Sequence, residues 1–321
     1  MSGCININRL MNDIENMASI GKLPSGGICR RAMSVEDMQG RVYLIRQMEN
    51  AGLTVKIDAA GNIIGRRDPH TKKLSQTLIW DNKMPALLMG SHIDTMECAG
   101  KYDGVLGVFS ALECIRTLNE SGNEVAKPIE LIAFNDEEER FLGFLGSYAF
   151  TGVISYDDIK NLVDHDGVML VDVMRDIGLD PTKIGEAKRD PKSVVGYLEL
   201  HIEQGPLLEQ LNVPIGVVKL VKGDYRWNVT VKGQTNHAGF PWEGRKDAFM
   251  ASLKIAKAMA DYRDQLGSPE DTLTIGRIDV NPNVETAQPG LVNFSIDFRS
   301  PNKAFLLAAA KKLQDTVHHV I

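Results

Sequence analysis

The chain has 321 residues, 43% of them hydrophobic and 24% charged, the make-up of a globular protein long enough for one sizeable core and a second, smaller one. A net charge of −6 with no basic block argues against a nucleic-acid surface, and no apolar run reaches membrane-spanning length. Four separated cysteines (Cys4, Cys29, Cys98, Cys114), and a start that lacks a basic region followed by a long apolar one, argue for a reducing cytoplasm rather than export.

Residues 8–49 read as helical segments around a polar loop, Leu23-Pro24-Ser25-Gly26-Gly27-Ile28-Cys29-Arg30, and short strands begin near Val55 and Asn62. Pro85-Ala86-Leu87-Leu88-Met89-Gly90 is a brief apolar run that predicts a buried strand whose carboxyl end presents His92. After Asp103-Gly104, the positions Val105, Val108, Phe109, Leu112, Ile115 and Leu118 follow helical spacing. Ile129-Glu130-Leu131-Ile132-Ala133-Phe134 is a strand that runs into Asp136-Glu137-Glu138-Glu139, and a strand over 194–202 delivers His201. Alternating strands and helices predict an α/β sandwich, and such sheets place ligands at the carboxyl ends of their strands.

Past Glu209 the character changes. Trp227, Val229 and Val231 alternate as in a half-buried strand, 247–262 is helical, 272–280 and 291–298 are strands, and 302–319 is a last helix. This order is the β-α-β-β-α of a ferredoxin-like α+β unit. The boundary falls near residue 210, giving domains 1–209 and 210–321.

The strand ends carry the chemistry. Imidazole and carboxylate are the ligands that zinc, manganese or cobalt accept, and two such ions about 3.5–4 Å apart can share a bridging carboxylate. His92, Asp103, Glu138 and His201 supply that set. Asp94, two residues beyond His92, is placed to fix the imidazole tautomer from behind. Glu137, next to Glu138, is expected to point elsewhere and to serve as general base. Taken singly, a His-x-Asp is more often a polar loop, an acidic run a helix start, and a histidine such as His201 a hydrogen-bonded structural residue. The metal reading rests on their recurrence. In the second domain His237, in a glycine-flanked turn, is either an oxyanion donor or a loop histidine. Arg299 is either a clamp for a substrate carboxylate or the partner of a structural ion pair with Asp297.

The ordered motifs Gly26-Gly27-Ile28-Cys29-Arg30, Gly61-Asn62, Gly90-Ser91-His92-Ile93-Asp94-Thr95, Asp103-Gly104, Glu137-Glu138 with Arg140-Phe141, His201-Ile202-Glu203-Gln204-Gly205-Pro206, His237-Ala238-Gly239 and Asp297-Phe298-Arg299 span nearly the whole chain. With them it resembles the N-carbamoyl-L-amino-acid hydrolase and allantoate amidohydrolase family, a branch of the dinuclear metallo-aminoacylase and carboxypeptidase superfamily. The resemblance implies an α/β/α metallopeptidase-like catalytic domain and a smaller lid and dimerisation domain, in a homodimer. It implies one divalent ion on His92, Asp103 and His201, and a second on Asp103, Glu138 and a distal histidine. Glu137 is implied as the base, Gln204 as a substrate contact, and His237 and Arg299 as groups that complete the partner subunit's site. The implied reaction is hydrolysis of the carbamoyl C–N bond of an N-carbamoyl-L-amino acid, with allantoate, ureidoglycolate and β-ureidopropionate as alternative ureido substrates.

Four departures stand out. Glu137-Glu138-Glu139-Arg140-Phe141 is one residue shorter than the family's usual spacing, as is Phe240-Pro241-Trp242 after His-Ala-Gly. Thr286 stands where the family typically has an asparagine. The sequence ends at Ile321, and beyond His237 its only histidines are His318 and His319 at the end of the last helix. The expectation is therefore a catalytic domain without its closing segment and a second ion one ligand short. It keeps a second function class open, a truncated non-catalytic descendant that dimerises or binds ureido acids.

Overall fold

Polar caps set where the first helices begin. Asn6 accepts the Arg9 N–H and starts α1 (Ile7–Ser19), and Ser34 accepts the Asp37 N–H and starts α2 (Val35–Asn50). The computed structural model describes residues 4–69, 84–122 and 125–320. They form two compact units, Met1–Leu207 and Leu208–Ile321.

In the first unit β1 (Thr54–Ile57), β2 (Ile63–Arg67), β3 (Ala86–His92), α3 (Val105–Ser121), β4 (Ile129–Phe134), three short helices α4 (Leu145–Thr151), α5 (Tyr156–Ile159) and α6 (Leu170–Asp176), and β5 (Val194–Leu198) follow in order. The sheet runs β1-β2-β4-β3-β5, with β4, β3 and β5 mutually parallel, β2 antiparallel to β4 and β1 antiparallel to β2. Strand alternation sorts its side chains: Ile63, Ile129, Leu131 and Ala133 join α1, α2 and α3 in the main core, while Ile64, Leu88 and Ile132 pack on the other face with Phe150 of α4. Met33, Ala60, Phe141, Leu145, Leu170 and Met174 form a satellite core beneath the segment that follows β4.

A short helix α7 (Leu207–Gln210) straddles the division between the units. The second unit contains β6 (Gly223–Lys232), β7 (Asn236–His237), α8 (Ala248–Leu266), β8 (Thr272–Thr274), β9 (Ile278–Asn281), β10 (Ala287–Gln288), β11 (Leu291–Ser300) and α9 (Lys303–Val320). On β11 the even-numbered Val292, Phe294, Ile296 and Phe298 are buried against Ile255 and Met259 of α8 and Leu306, Ala309 and Leu313 of α9. Odd positions, including Asp297 and Arg299, therefore share the opposite face. The layout is the α+β unit expected.

Two strands differ from the sequence reading. The predicted strand over 194–202 ends at Leu198, so His201 lies in the irregular segment beyond it. The predicted strand over 272–280 divides into β8 and β9, both paired to β11 but with the register shifted by one residue between them, where Ser295 Oγ accepts the Arg277 N–H. No helix among the described residues is long and apolar enough to cross a membrane.

Candidate metal centre

Two buried polar anchors hold the loops that carry the ligands. Arg30, 1% exposed, donates through Nε to the Ile93 carbonyl at 2.8 Å and through one terminal nitrogen to the Met17 and Ile20 carbonyls, each at 3.0 Å, while its backbone exchanges hydrogen bonds with Thr95. That pins His92-Ile93-Asp94 at the end of β3. Asn62, fully buried, donates to Asp58 and to the Gly146 carbonyl and accepts the Asn135 N–H, which anchors the acidic segment after β4. A buried amide left without such partners would cost about 1–3 kcal/mol, so these contacts specify the loops.

His92 and His201 meet across the carboxyl edge of the sheet with ring centroids 6.4 Å apart. His92 Nδ1 lies 3.0 Å from the Asp94 carbonyl oxygen and His201 Nδ1 2.8 Å from that of Ile202, so in each neutral ring Nδ1 carries the proton and Nε2 a lone pair. Both lone pairs face carboxylates. His92 Nε2 is 3.4 Å from Glu137 Oε2 and 3.9 Å from Asp103 Oδ1, and His201 Nε2 is 3.1 Å from the same Asp103 oxygen. Asp103 Oδ1 is buried and, despite that last contact, makes no hydrogen bond of acceptable geometry. Gly104 permits the approach: at φ +64° its backbone suits glycine, and a Cβ there would lie 2.5 Å from the His92 ring.

The acidic segment completes the cluster through an unusual turn. Asp136, Glu139 and Phe144 all have positive φ, and the fully buried Asp136 carboxylate accepts the N–H groups of Arg140, Phe141 and Leu142. The turn brings Glu137 and Glu138 to the same side. Ligand atoms of His92, Glu137 and Glu138 lie within 4.8 Å of one another, as do those of His92, Asp103 and His201. The expectation that Glu137 points away from Glu138 is thus corrected. Asp94 also acts differently: its backbone carbonyl, not its carboxylate, takes His92 Nδ1–H, while Oδ2 accepts the Glu138 N–H at 3.0 Å and Oδ1 stays buried without a hydrogen bond.

Four carboxylates, Asp94, Asp103, Glu137 and Glu138, thus surround two imidazoles. Like charges about 4 Å apart repel by roughly 4 kcal/mol at an effective dielectric of 20, so the cluster must take up protons or cations. Burial, with Glu137 close by, pushes Glu138 up to about 7, and burial raises Glu137 as well. Burial opposes charge on His92, but Asp94, Glu137 and Glu138 outweigh it and move its pKa upward. The Asp103 carboxylate lifts His201 to about 9, and His201 in turn lowers Asp103. Orphaned carboxylate oxygens beside imidazole lone pairs are the donor set of a divalent cation, and the residues fit one.

Gln204, at φ +55°, donates to Asp103 Oδ2 at 2.7 Å and so touches the cluster. In the second unit His237 pairs with Ala287 across β7 and β10, and its Nδ1 accepts the Gly239 N–H at 3.1 Å. The neutral ring then carries its proton on Nε2, on an exposed side chain. The neighbouring Ala238 N–H goes to the carbonyl of Thr286, so the position that departs from the family pattern adjoins His237. Arg299 forms a bidentate pair with Asp297 at 2.9 and 2.7 Å, the alternative held open from the sequence. His318 and His319 belong to α9, where His319 Nδ1 meets the Asp315 carbonyl.

Sequence reasoning gave no role to Asp136 or to Glu199. Glu199 precedes His201 by two residues, so an extended chain puts both on one face, a signal that was present.

A model of peptidase family M28 matches residues 74–199, and a model of a peptidase dimerisation domain matches residues 221–320. An N-carbamoyl-L-amino acid amidohydrolase of Geobacillus stearothermophilus is 34% identical over 294 residues, which cover 91% of this chain and 69% of the relative. An allantoate deiminase of Arabidopsis thaliana is 37% identical over 277 residues, covering 79% of this chain and 51% of that protein. The crystal structure of an amidase of the hydantoinase/carbamoylase family from Burkholderia vietnamiensis matches with a TM-score of 0.87 at 31% identity, over 98% of this chain and 74% of that one. An α/β unit ending in this acidic and imidazole cluster, joined to a dimerisation domain, belongs with these proteins: the chain is a member of the hydantoinase/carbamoylase family of amidases.

Proposed function

We propose that the chain is a metal-dependent amidohydrolase that cleaves the carbamoyl C–N bond of an N-carbamoyl-L-amino acid, yielding the amino acid, ammonia and carbon dioxide from one water. The observation that carries the reading is the pair of imidazoles whose Nε2 lone pairs face half-buried carboxylates, with Glu137 among them. The amidohydrolase relative supports the substrate class, and the plant allantoate deiminase favours allantoate as the alternative.

Two divalent ions, zinc or else manganese or cobalt, are proposed. His92, Asp103 and His201 would hold one, and Asp103 and Glu138 would contribute to the other. When bound they supply Lewis acidity that polarises the ureido carbonyl and acidifies water. Glu137 takes a proton from the attacking water at Oε2 and returns it to the leaving nitrogen. Burial raises its pKa, the direction in which a carboxylate becomes a better proton acceptor. His237 donates from Nε2–H to the developing oxyanion, Gln204 contacts the substrate, and Arg299 holds its carboxylate. An exposed ion pair such as Arg299 with Asp297 is worth about 0–1 kcal/mol, so a substrate carboxylate competes for the guanidinium at small cost. The dimerisation domain supports a homodimer, and the free thiols of Cys29, Cys98 and Cys114 suit a reducing cytoplasm.

Glu137→Gln tests the mechanism. Turnover of carbamoyl-methionine should fall by about 10²–10⁴-fold while metal stays bound, and retained turnover refutes the role. Comparing carbamoyl-methionine with allantoate, ureidoglycolate and β-ureidopropionate fixes the substrate.

A further inference from the structure

The backbone ladder between β3 and β5 stops three residues short of the second histidine. Its last pair is Met89 with Leu198, and His92 and His201 each lie three residues further on. Along β3 the chain goes on pairing with β4 as far as His92, but among the described residues the other side of β3 has no ladder partner beyond Met89. Side chains take over there. Ser91, 2% exposed and adjacent to His92, donates its hydroxyl to Glu199 Oε1. Tyr197 Oη lies 2.8 Å from Glu199 Oε2 and 3.0 Å from the Gly90 carbonyl, sharing one proton between them. Glu199 thus receives one bond from β3 and one from its own strand, two residues before His201.

We propose that Glu199 is a positioning residue: tied to Ser91 and Tyr197, it continues the β3–β5 register past the end of the ladder and fixes His201 opposite His92. Its carboxylate is in neither group of ligand atoms among the described residues, so it acts through the strands and not on the ion. The tie needs an acceptor for the Ser91 hydroxyl rather than a charge. Gln at 199 keeps that acceptor, and Ala removes it.

The inference rests on the metal reading of the site, and one titration separates the two. The full chain, stripped with chelator, is titrated with Co²⁺ alone by calorimetry and by the visible absorption of the bound ion. Glu199→Ala and Ser91→Ala should each lower affinity by about 10–100-fold and alter the absorption band. Glu199→Gln should keep both near the parent, and the double variant Ser91→Ala/Glu199→Ala should fall no further than either single one. Should Glu199→Ala prove unstable in denaturation controls, Ser91→Ala against Glu199→Gln still decides. A parent-like affinity and spectrum in Ser91→Ala, or a Glu199→Gln variant as weak as Ser91→Ala, overturns the positioning role and leaves the metal site intact. A parent chain that binds no Co²⁺ overturns both.

Discussion

In the larger unit, His92 and His201 each give Nδ1–H to a backbone carbonyl and aim Nε2 at carboxylates. In the smaller unit His237 is wired the other way round: Nδ1 accepts the Gly239 N–H, and Nε2–H is left outward. The carboxylates named beside these groups differ as well. Asp103 and Asp94 keep buried oxygens without hydrogen bonds, whereas Asp297 is satisfied by Arg299. One unit has gathered acceptors, which call for a cation. The other presents donors, which suit an anion. A histidine's chemistry is set by what its second nitrogen does, and here one chain uses both tautomers.

The comparison is broken most directly by removing one histidine from each side. His201→Ala deletes an acceptor of the cluster, and metal affinity should fall by more than the roughly 10–100-fold that supporting partners are worth, taking turnover with it. His237→Ala should leave the metal titration unchanged and lower kcat by about 10²–10³-fold, the worth of one oxyanion donor. A His237→Ala variant that loses metal would erase the distinction.

Protons sharpen it next. Without metal, Glu138 and Asp136 at about 7 and Asp37 at about 6 sit above the unfolded carboxylate range near 4. The folded state then binds more protons than the unfolded one between about pH 4 and 7, and stability falls as pH rises through that window. His201, raised to about 9, adds stability that is full below its unfolded value near 6.5 and is lost as pH rises through 9. Both act in one direction. Asp103, lowered, acts the other way, and only in acid. Among the described residues every upward-displaced Asp or Glu lies in the first unit. The chelated protein should therefore lose Tm from pH 5 to 9. A divalent ion at about 100 times its Kd should restore about 2.7 kcal/mol, roughly 5–10 °C for a unit of this size. The gain should grow with pH, because metal competes with protons for the same atoms. Calorimetric scans with and without metal measure it; a Tm indifferent to both would sink the acceptor-cluster account.

The membership of the imidazole and carboxylate cluster was legible from the sequence because strand ends are. Apolar runs fix β3 and β4, and the first polar residues past them must face the sheet's carboxyl edge, which delivers His92 and the acidic segment. The direction of Glu137 was not legible, since it depends on positive φ at Asp136 and Glu139, and neither residue type announces that conformation as glycine does. Asp94 was hidden for a similar reason: a carbonyl bond leaves no mark in the side-chain pattern. The early end of β5 was invisible because Glu199 replaces backbone pairing with a side-chain tie, and a glutamate at a strand end reads as ordinary surface. In the second unit, alternation along β11 put Asp297 and Arg299 on one face, which made their pairing foreseeable but not the competition with a substrate carboxylate proposed for it.

That competition gives the smallest effect and the finest test. Asp297 also stands 3.5 Å from Arg226 Nε, so removing its charge leaves Arg226 with Asp224 and leaves Arg299 without its bidentate carboxylate. Because Arg299 is 47% exposed, Asp297→Asn should change urea-derived stability by no more than about 1 kcal/mol. If Arg299 holds the substrate carboxylate, the same change should lower KM for a ureido acid by up to about fivefold, the equivalent of that energy, with kcat unchanged. Arg299→Lys should raise KM, since an ammonium cannot grip a carboxylate with two parallel bonds. Should Asp297→Asn raise KM alongside Arg299→Lys, Asp297 orients the guanidinium instead of competing for it. The donor-rich side would then be built as the acceptor-rich one is, from groups held in place by their neighbours.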